Sequence, residues 1–520
     1  MYACGIDLGT SNSAISVYRK GKTETLNIDG NYTIPSVVSF RNSATMLVGS
    51  QAKQMAEMYP QNTAIEVKRE IGNSKFKYTI FGKNYSPVDI SSFIITKLVK
   101  GAEKVLGGKI REVVVTVPAY FTEQQKEDTK KAGEAAGLKV LRLLPEPTAA
   151  AIAYGFGKGK DQTLLVYDLG GGTFDVSLLK VEGNNFEVIA VNGNHDLGGR
   201  DFDNIIVEFA FSEFKRQTGI DLPLLRKSEK SEDVFKAYQI VKEAAEKAKM
   251  ELTESIQTSI DCPNLYKGSH LSVDFSREQF EKMIQPFIIE TKDLVLKTLK
   301  DASMDIDDVD RIILVGGSTK IPLVKNIITE TVKEPFIAEN VDEIVSNGAA
   351  LVAGSLSAPQ EEITGLPDEK NIENIKVLDI TAHSLGAEVL DEGGKLIFEP
   401  IIKKNSKIPC RGFFLGNTVV PGQTGVEIKV YRGEKLDCKK NVFLGDCKIK
   451  GIPPKDETIP VGIWFNLDEN GILYIKAGTL EYTNPLRIMK CQQSGELNEL
   501  KEGVDYNIQQ IVEVKIELNT

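Results

Sequence analysis

The sequence has few cysteines, and none of them are closely spaced. The six cysteines among 520 residues form no C-x-x-C pair, so neither a disulfide scaffold nor a cysteine-rich zinc site is indicated, and we expect a reducing compartment. No stretch approaches the roughly 20 apolar residues that a membrane span needs. The first residues enter a strand-like run at once, so we expect no secretory leader and a cytoplasmic protein.

An excess of basic residues is also missing. The chain has 63 Lys and Arg residues against 73 Asp and Glu, a formal net charge of −10, and no basic cluster stands out. This argues against a nucleic-acid-binding surface. Hydrophobic residues make up 41% and charged residues 26%, as in ordinary soluble globular proteins. Since 520 residues exceed what one hydrophobic core usually supports, we expect at least two domains.

Up to about residue 355, short β-branched runs alternate with helical patterns, which predicts α/β layers. The strand-like run at 111–121 is followed by a helix that starts at Thr122, with Gln125 completing a capping box. Residues 232–253 predict another helix, and we interpret most of its charges as a solvated face.

The pattern changes after this region. Residues 358–380 are polar and proline-bearing and predict a linker. Residues 381–495 alternate as in an all-β sandwich, with two strands about an Asn470-Gly471 turn. The tail at 496–520 predicts one further strand and no helical lid.

Three glycine-containing turns follow apolar runs. "GIDLGTSNSAISVY" (5–18) and "VYDLGGGTFDVSLL" (166–179) both place Asp-Leu-Gly after a strand and before another strand, which indicates an internal duplication with two facing halves. The third turn, Gly316-Gly317-Ser318, separates a strand from an amphipathic helix, where an anion can meet free helix N–H groups.

These turns have the residues that a triphosphate needs. Glycines let backbone amides approach phosphate, and hydroxyls such as Thr10, Ser11 and Thr173 can bond its oxygens. Asp7 and Asp168 can hold the waters of a magnesium ion. One such turn alone is more typical of a plain β-turn, but three in this order favour nucleotide binding. Neither a Walker A loop nor a G-x-G-x-x-G fingerprint occurs, so we expect the nucleotide between two α/β lobes.

Six motifs in order then carry a family resemblance. "GIDLGTSNS", "VVVTVPAYF", "PEPTAAAIAYG", "YDLGGGTFDVS", "DLGGRDFD" and "VGGSTKIP" resemble the motif set of the 70-kDa heat-shock chaperones, closest to the bacterial DnaK type, over roughly residues 3 to 490. The resemblance implies an actin-like (ribonuclease H-like) two-lobed ATPase domain at 1–357, the linker at 358–380 and a peptide-binding β-sandwich at 381–495. It also implies an ATP-dependent chaperone of the stress response, in which hydrolysis controls the affinity for extended hydrophobic peptides.

The resemblance also assigns residues and cofactors. The implied catalytic residues are Lys68, Glu146, Asp168, Thr173 and Asp175, and Asp7 and Asp168 would hold Mg²⁺ through water. The implied nucleotide-binding residues are Asp7, Gly9, Thr10, Ser11, Asn12, Gly170, Gly171, Gly172, Gly198, Gly199, Glu246, Lys249, Met250, Gly316, Gly317, Ser318, Lys320 and Asp342. The implied peptide-binding residues are Val389, Leu390, Val419, Val426 and Ile428, with Ile428 equally consistent with a core position. The implied cofactors are ATP or ADP, Mg²⁺ and K⁺, and the implied partners are a J-domain co-chaperone, a nucleotide-exchange factor and unfolded peptide segments.

Several positions depart from the family pattern. Lys320 stands in place of an arginine over the adenine, and Lys126 in place of the arginine that partners Pro118. Pro145 replaces an asparagine beside Arg142, on the surface where J-domain proteins dock, and Gly416 replaces a pocket phenylalanine. Lys376 lies inside the usually hydrophobic linker run, so we expect weaker burial of that run and weaker stimulation of hydrolysis. Without a lid, peptide exchange should be fast.

Two other functions remain open from the residues. The chain could be an ATP-switched docking module whose β domain serves one dedicated partner, which Pro145, Lys376, Gly416 and the missing lid favour slightly. A sugar kinase or filament-forming relative would share the ATPase lobes, but the appended β domain and the "PEPTAAAIAYG" motif count against it.

Overall fold

The computed structural model describes residues 2–157, 160–222, 232–337, 341–357, 375–391, 393–482 and 506–514. The chain divides into two compact units, Met1–Val377 and Leu378–Thr520; both contain β-sheets, and the α-helices of the described residues lie in the first unit. Residues 358–374 of the predicted linker lie outside the described residues, as does the predicted tail apart from 506–514.

The first unit is mixed α/β. Its strands are β1 (Tyr2–Leu8), β2 (Asn12–Arg19), β3 (Lys22–Thr25), β4 (Ile34–Pro35), β5 (Val38–Phe40), β6 (Met46–Val48), β7 (Thr63–Ala64), β8 (Tyr78–Ile80), β9 (Lys83–Tyr85), β10 (Ile110–Val117), β11 (Lys139–Pro145), β12 (Gln162–Leu169), β13 (Phe174–Glu182), β14 (Asn185–Asn194), β15 (Gln257–Tyr266), β16 (Ser269–Ser276), β17 (Arg311–Val315) and β18 (Phe336–Ile337). Its helices are α1 (Ser50–Met58), α2 (Pro87–Leu106), α3 (Glu123–Ala135), α4 (Glu146–Gly155), α5 (Gly199–Thr218), α6 (Glu232–Glu251), α7 (Arg277–Asp301), α8 (Pro322–Thr331) and α9 (Ile344–Leu356). Among the helices of the described residues, none combines the length and apolar character that crossing a bilayer requires.

Two sheets of this unit repeat one topology. One sheet contains the strand run β11-β10-β1-β2-β3, and the other contains the run β18-β17-β12-β13-β14. In each, an antiparallel meander of three strands is flanked by two strands that pair in parallel. The first turn of each meander carries the Asp-Leu-Gly sequence. The predicted duplication is therefore confirmed.

Each of the two sheets has its own core. One core contains Ile6, Ile15 and Val115, and the other contains Phe174 and Phe202, all fully excluded from solvent. Full burial of an apolar side chain of this size contributes about 1.5–3 kcal/mol. Because helices cover these sheets, runs such as Val113–Val115 are apolar without alternation.

Local signals set the helix ends. Thr122 Oγ1 accepts from the Gln125 N–H (3.1 Å), and the Gln125 side chain accepts from the Thr122 N–H (3.0 Å), which completes the predicted capping box of α3. The loop after this helix turns at Gly137, with φ of 82°, a left-handed value that glycine adopts readily.

The second unit contains two four-stranded antiparallel sheets with the orders β21-β20-β24-β25 and β23-β26-β27-β28. Its strands are β20 (Leu385–Leu390), β21 (Leu396–Ile402), β22 (Lys407–Ile408), β23 (Cys410–Asn417), β24 (Gly425–Arg432), β25 (Val442–Lys450), β26 (Pro460–Leu467), β27 (Leu473–Tyr482) and β28 (Tyr506–Val514). Ile428 and Val430 from one sheet share a core with Ile463 and Phe465 from the other. The predicted pair of strands about Asn470-Gly471 is present as β26 and β27.

The strand β19 (Lys376–Ile380) begins at the end of the first unit. Here the Ile375 N–H donates to Ser355 Oγ (3.0 Å), the Lys376 N–H donates to the Asn184 carbonyl (3.1 Å), and Arg142 Nη2 donates to the Val377 carbonyl (3.1 Å). Ile375 and Val377 are buried, while Lys376 is exposed. The expectation that Lys376 opposes burial of this run is therefore wrong, because alternation along the strand directs its side chain to solvent.

Candidate functional site

The two Asp-Leu-Gly turns face each other closely. A Cβ atom built on Gly171 would lie 2.2 Å from Ser11 Oγ, and one on Gly172 would lie 2.7 Å from Thr10 Oγ1. Real Cβ atoms do not approach this closely, so only glycine fits at these two positions without displacing the hydroxyls. The first turn is tight as well, since a Cβ on Gly9 would lie 2.0 Å from the Asn12 carbonyl oxygen. The structure thus brings the predicted hydroxyls and glycines of both loops together.

Four carboxylates gather below these loops. Asp168 and Asp175 are direct partners across the β12–β13 ladder; they and Glu146 are buried, whereas Asp7, at the end of β1, is half-buried. Burial and the charge of Glu146 raise the pKa of Asp7 to about 7 and that of Asp175 to about 7. Burial and the neighbouring carboxylates also raise the pKa of Asp168. The site therefore disfavours its own negative charge and would gain from a bound cation.

Lys68 is the cation of this cluster. It lies on a 3-10 turn, Val67–Arg69, is 5% exposed and pairs with Glu146 at the first residue of α4. Burial acts to lower its pKa, but Glu146 and Asp7 outweigh burial and raise it, so Lys68 is charged. Its Nζ also lies 5.8 Å from the centroid of the Phe121 ring. The predicted catalytic lysine, which no local pattern singles out, is therefore held within the carboxylate cluster.

The loop after β10 contacts two of these carboxylates. Thr116 Oγ1 donates to Asp7 Oδ1 (2.9 Å), and the Tyr120 N–H donates to Asp175 Oδ1 (3.1 Å). Pro118 lies between these two residues, and its carbonyl accepts from the Phe121 N–H at 3.2 Å. A movement of the backbone at Pro118 would therefore change the hydrogen bonds to both Asp7 and Asp175. Thr116 is a site residue that the sequence motifs did not identify.

The first turn of α5 packs against one side of the loop Gly170–Gly172, called the glycine loop below. The Gly199 N–H donates to the Gly170 carbonyl (2.9 Å), and the Arg200 N–H donates to the Gly171 carbonyl (2.8 Å). A Cβ on Gly198 would meet the Gly172 nitrogen at 2.6 Å. This predicted glycine pair therefore lies directly against Gly170–Gly172.

The third glycine turn adjoins the same loop. Ser318 Oγ donates to the Gly170 carbonyl (3.1 Å), and Gly316 has a φ of 86°. However, a 3-10 helix, Gly317–Lys320, follows the turn, and α8 begins only at Pro322. The Leu323 N–H of α8 donates to Glu281 (3.1 Å), so this amide is already bonded, and the anion site expected at Gly316-Gly317-Ser318 stays a prediction.

The residues predicted for the ribose and adenine form pairs of their own. Lys249 pairs with Asp203 (2.7 Å) and donates to the Gly199 carbonyl (3.1 Å), which brings it beside the glycine loop. Glu246 pairs with Lys53 (2.7 Å). The solvated-face interpretation holds for Asp233, Glu243, Lys247 and Glu251, which are exposed, but Glu246 and Lys249 are half-buried and paired.

Three further predicted residues lie near the surface. Met250 is 63% exposed. Lys320 and Asp342 pair with each other at 2.8 Å, with both side chains about half exposed. A Cβ on Gly317 would lie 3.5 Å from Asp342 Oδ1, so this pair adjoins the third glycine turn.

Two residues beside Lys68 also escaped sequence reasoning. Arg69 Nη2 donates to the Gly172 carbonyl (2.7 Å) and to Asp201 Oδ2 (2.9 Å). Glu66 pairs with Arg200 and with Lys242, the second pair at 2.6 Å. Their only signal is their proximity to Lys68 in the sequence, because long-range partners cannot be read from local patterns.

The predicted peptide-binding residues lie where β20 and β24 diverge. The ladder between these strands runs only from Leu385–Arg432 to Ala387–Val430. Beyond it, Val389 on β20 and Val426 on β24 are half-buried and pack against the core. The end of each strand thus presents an aliphatic side chain next to an interrupted ladder, a suitable place for an extended peptide.

The other predicted groove residues differ in burial. Leu390 is 42% and Val419 63% exposed, while Ile428 is 3% exposed and belongs to the core. Of the two interpretations of Ile428, the core position is therefore the one found. A Cβ on Gly416 would lie 3.1 Å from the Phe414 ring, so this aromatic ring covers the position where a larger side chain would stand.

Comparison with known proteins identifies the family. The family model described as "Hsp70 protein" matches residues 3–513. The chaperone protein DnaK of Thermotoga neapolitana is 42% identical over 489 residues, which cover 92% of this chain and 78% of that protein. DnaK of Thermosipho melanesiensis is 41% identical over 488 residues, with the same shares covered. The chain therefore belongs to the Hsp70 family, and it is an ATP-dependent molecular chaperone that hydrolyses ATP.

Proposed function

We propose that ATP binds between the two Asp-Leu-Gly loops of the first unit. The observation that carries this proposal is the approach of Gly171 and Gly172 to the Ser11 and Thr10 hydroxyls. Amides from one loop and hydroxyls from the other can then bond the phosphate oxygens from both sides. Gly198, Gly199 and Ser318 border the same loop, and Lys249 lies beside it, which supports their assignment to the nucleotide.

The cofactor is a nucleotide with a divalent metal ion, and we propose Mg²⁺. Carboxylate oxygens are hard ligands that suit this ion, and the raised pKa values of Asp7 and Asp168 indicate a site that a cation would stabilise. Among the described residues, no group of three His, Cys, Asp or Glu side chains is placed to enclose a metal directly. We propose contact through water because Mg²⁺ usually keeps several of its waters. K⁺ is a further proposal and would offset the same negative charge.

Three side chains, those of Lys68, Thr173 and Asp175, have different proposed roles in hydrolysis. Lys68, held by Glu146, presents a positive charge where the charge of the γ-phosphate develops. Thr173, whose side chain hydrogen-bonds Asp175, offers a hydroxyl next to the glycine loop. Asp175 is fixed by the Tyr120 N–H and can orient a water or take its proton, since a pKa of about 7 suits either role.

We propose the actin-like ATPase domain for residues 1–357, the linker for 358–380 and the peptide-binding β-sandwich for 381–495. The topologically matched sheets of the first unit and the shared core of the two sheets in the second support this division. The linker would respond to the state of the ATPase domain. This is supported by the burial of Ile375 and Val377 and by the hydrogen bond from Arg142 to the Val377 carbonyl. Coupling would run through Pro118, which adjoins the contacts to Asp7 and Asp175.

The partners are proposed from chemistry and resemblance. Extended aliphatic peptides suit the opening at Val389 and Val426, and a J-domain co-chaperone would dock near Arg142 and Pro145. A nucleotide-exchange factor would act by opening the cleft. No observation favours a single dedicated partner. The cysteines within the described ranges are free thiols, which supports a reducing location such as the cytoplasm.

ATP hydrolysis measured with and without an aliphatic-centred peptide tests the proposal. We expect Thr173→Ala and Asp175→Asn to bind ATP and hydrolyse it about 10²-fold more slowly. We expect Val426→Asp to leave basal hydrolysis unchanged and to abolish its response to peptide, with the exposed Val420→Asp as the matched control. If Asp175→Asn hydrolysed ATP at the wild-type rate, the assigned site would be wrong.

A further inference from the structure

Glu66 occupies an unusual position beside the catalytic lysine. Its backbone is left-handed, with φ of 55° and ψ of 31°, immediately before the turn that carries Lys68 and Arg69. A residue other than glycine or asparagine seldom adopts this conformation, which is costly unless the surroundings fix it. Here the surroundings are two cations, Arg200 and Lys242, and the Glu66 side chain is only 19% exposed.

These contacts join the two halves of the first unit. Val67, next to Glu66, belongs to the core around β1 and β10. The partners of Glu66 are on α5 and α6, whose Phe202 and Val241 belong to the core around β12 and β13. The pairs of Glu66 therefore cross the cleft in which the nucleotide is proposed to lie.

Arg69 makes a parallel connection. Arg69 contacts the carbonyl of Gly172 and the carboxylate of Asp201. Glu66 and Arg69, which lie on either side of Lys68 in the sequence, therefore both contact the opposite half. Asp201 also accepts from the Gly198 N–H at 2.9 Å. Through these contacts, the turn that carries Lys68 is fastened to the glycine loop and to the first turn of α5.

We propose that Glu66 is a positioning residue whose pairs with Arg200 and Lys242 hold the cleft closed, keep Lys68 against the glycine loop and slow the release of nucleotide. This inference rests on the proposed nucleotide site. Glu66 lies in one half and its partners in the other, so a movement that parts the halves to release nucleotide would have to break both pairs. Loss of one partner would therefore ease this opening and speed release.

The charge state of Glu66 supports this role. Burial acts to raise its pKa, but Lys242 and Arg200 outweigh burial and hold the pKa below its ordinary value. The carboxylate is therefore ionised at neutral pH and pairs with both cations. A neutral glutamine of the same size would leave two positive side chains facing one another.

The test is the release of fluorescent ADP in a chase experiment, together with single-turnover hydrolysis of ATP. We expect Glu66→Gln to release ADP about tenfold faster and to hydrolyse bound ATP several-fold more slowly. Glu112→Gln is the matched control, because Glu112 pairs with Lys139 at 2.9 Å away from the cleft and Lys139 is 71% exposed. This control should behave like the wild type.

A double-mutant cycle separates positioning from a general loss of stability. We expect Arg200→Gln to act in the same direction and the double variant to fall short of the product of the single effects. If Glu66→Gln unfolds too readily to assay, Lys242→Gln, which leaves the Arg200 pair intact, should still accelerate release. Wild-type release rates in the folded variants, or independent effects in the cycle, would overturn the inference. A wild-type protein that binds no nucleotide would instead refute the proposed function.

Discussion

Replacing Lys68 by methionine removes a cation that acts on all four carboxylates of the site while keeping a side chain of similar length. Lys68 is 5% exposed, pairs with Glu146 and opposes the raised pKa values of Asp7, Asp168 and Asp175. The substitution therefore changes charge in a buried site with little change in volume.

The expected effects on stability and on catalysis differ in size. Removing one partner of a buried ion pair costs about 3–5 kcal/mol, but carboxylates whose pKa is already raised can bind a proton, which limits the loss. For hydrolysis, losing a preorganised charge that faces the developing charge of the phosphate costs about 10²–10³ in kcat. Binding of ATP should weaken by only about a few-fold, because the charge of Lys68 is already engaged by Glu146.

Single-turnover hydrolysis of a preformed ATP complex measures the chemical step, and titration with fluorescent ADP measures binding. Lys139→Met is the matched control, since Lys139 belongs to the exposed pair with Glu112 and such pairs contribute about 0–1 kcal/mol. A thermal melt of each variant shows whether the fold persists. A single-turnover rate for Lys68→Met within about threefold of wild type would refute this account of the site.

Three further outcomes are expected. The pKa values of Asp7 and Asp175 are raised to about 7, so the folded protein binds more protons than the unfolded chain between about pH 4 and pH 7. The free energy of unfolding without nucleotide should therefore fall as the pH rises through this range, by up to about 4 kcal/mol per group. Chemical denaturation should show a shallower fall for Asp175→Asn, and an unchanged slope would contradict the assignment. Gly171→Ala, whose Cβ would meet the Ser11 hydroxyl at 2.2 Å, should lose ADP binding in a fluorescence titration; an unchanged affinity would be evidence against the facing loops. Lys376→Leu should change linker-dependent hydrolysis less than about twofold, because this lysine is exposed. Val377→Asp should abolish that dependence, because Val377 is buried. A large gain in Lys376→Leu would instead support the expectation that Lys376 weakens the stimulation of hydrolysis by the linker.

The repeated topology could be predicted from the sequence because local patterns indicate it. Apolar strands ending in Asp-Leu-Gly occur twice, and each begins a meander in the structure. The capping box at Thr122 and the Asn470-Gly471 turn were likewise predictable, since both act over a few residues. Resemblance added Lys68, which no local signal distinguishes from a surface lysine.

Other features could not be predicted from local patterns. The direction of Lys376 depends on which strand edge it joins, and the placement of Ile428 in the core depends on how two sheets face each other. At the start of α8, the Leu323 N–H donates to the carboxylate of Glu281 on α7, a contact that the local pattern does not predict. Each of these outcomes follows from a contact between residues far apart in the sequence.

The sequence by itself determined the elements, the duplication and the glycine turns, because backbone conformation and alternation are decided by near neighbours. Only the tertiary structure decided which charges meet across the cleft. Glu66 looks like a solvated glutamate and Lys242 like a solvated lysine until α6 and the turn before Lys68 come together. Electrostatic partnership depends on distance in space and on burial, and neither quantity is encoded at a single position in the chain.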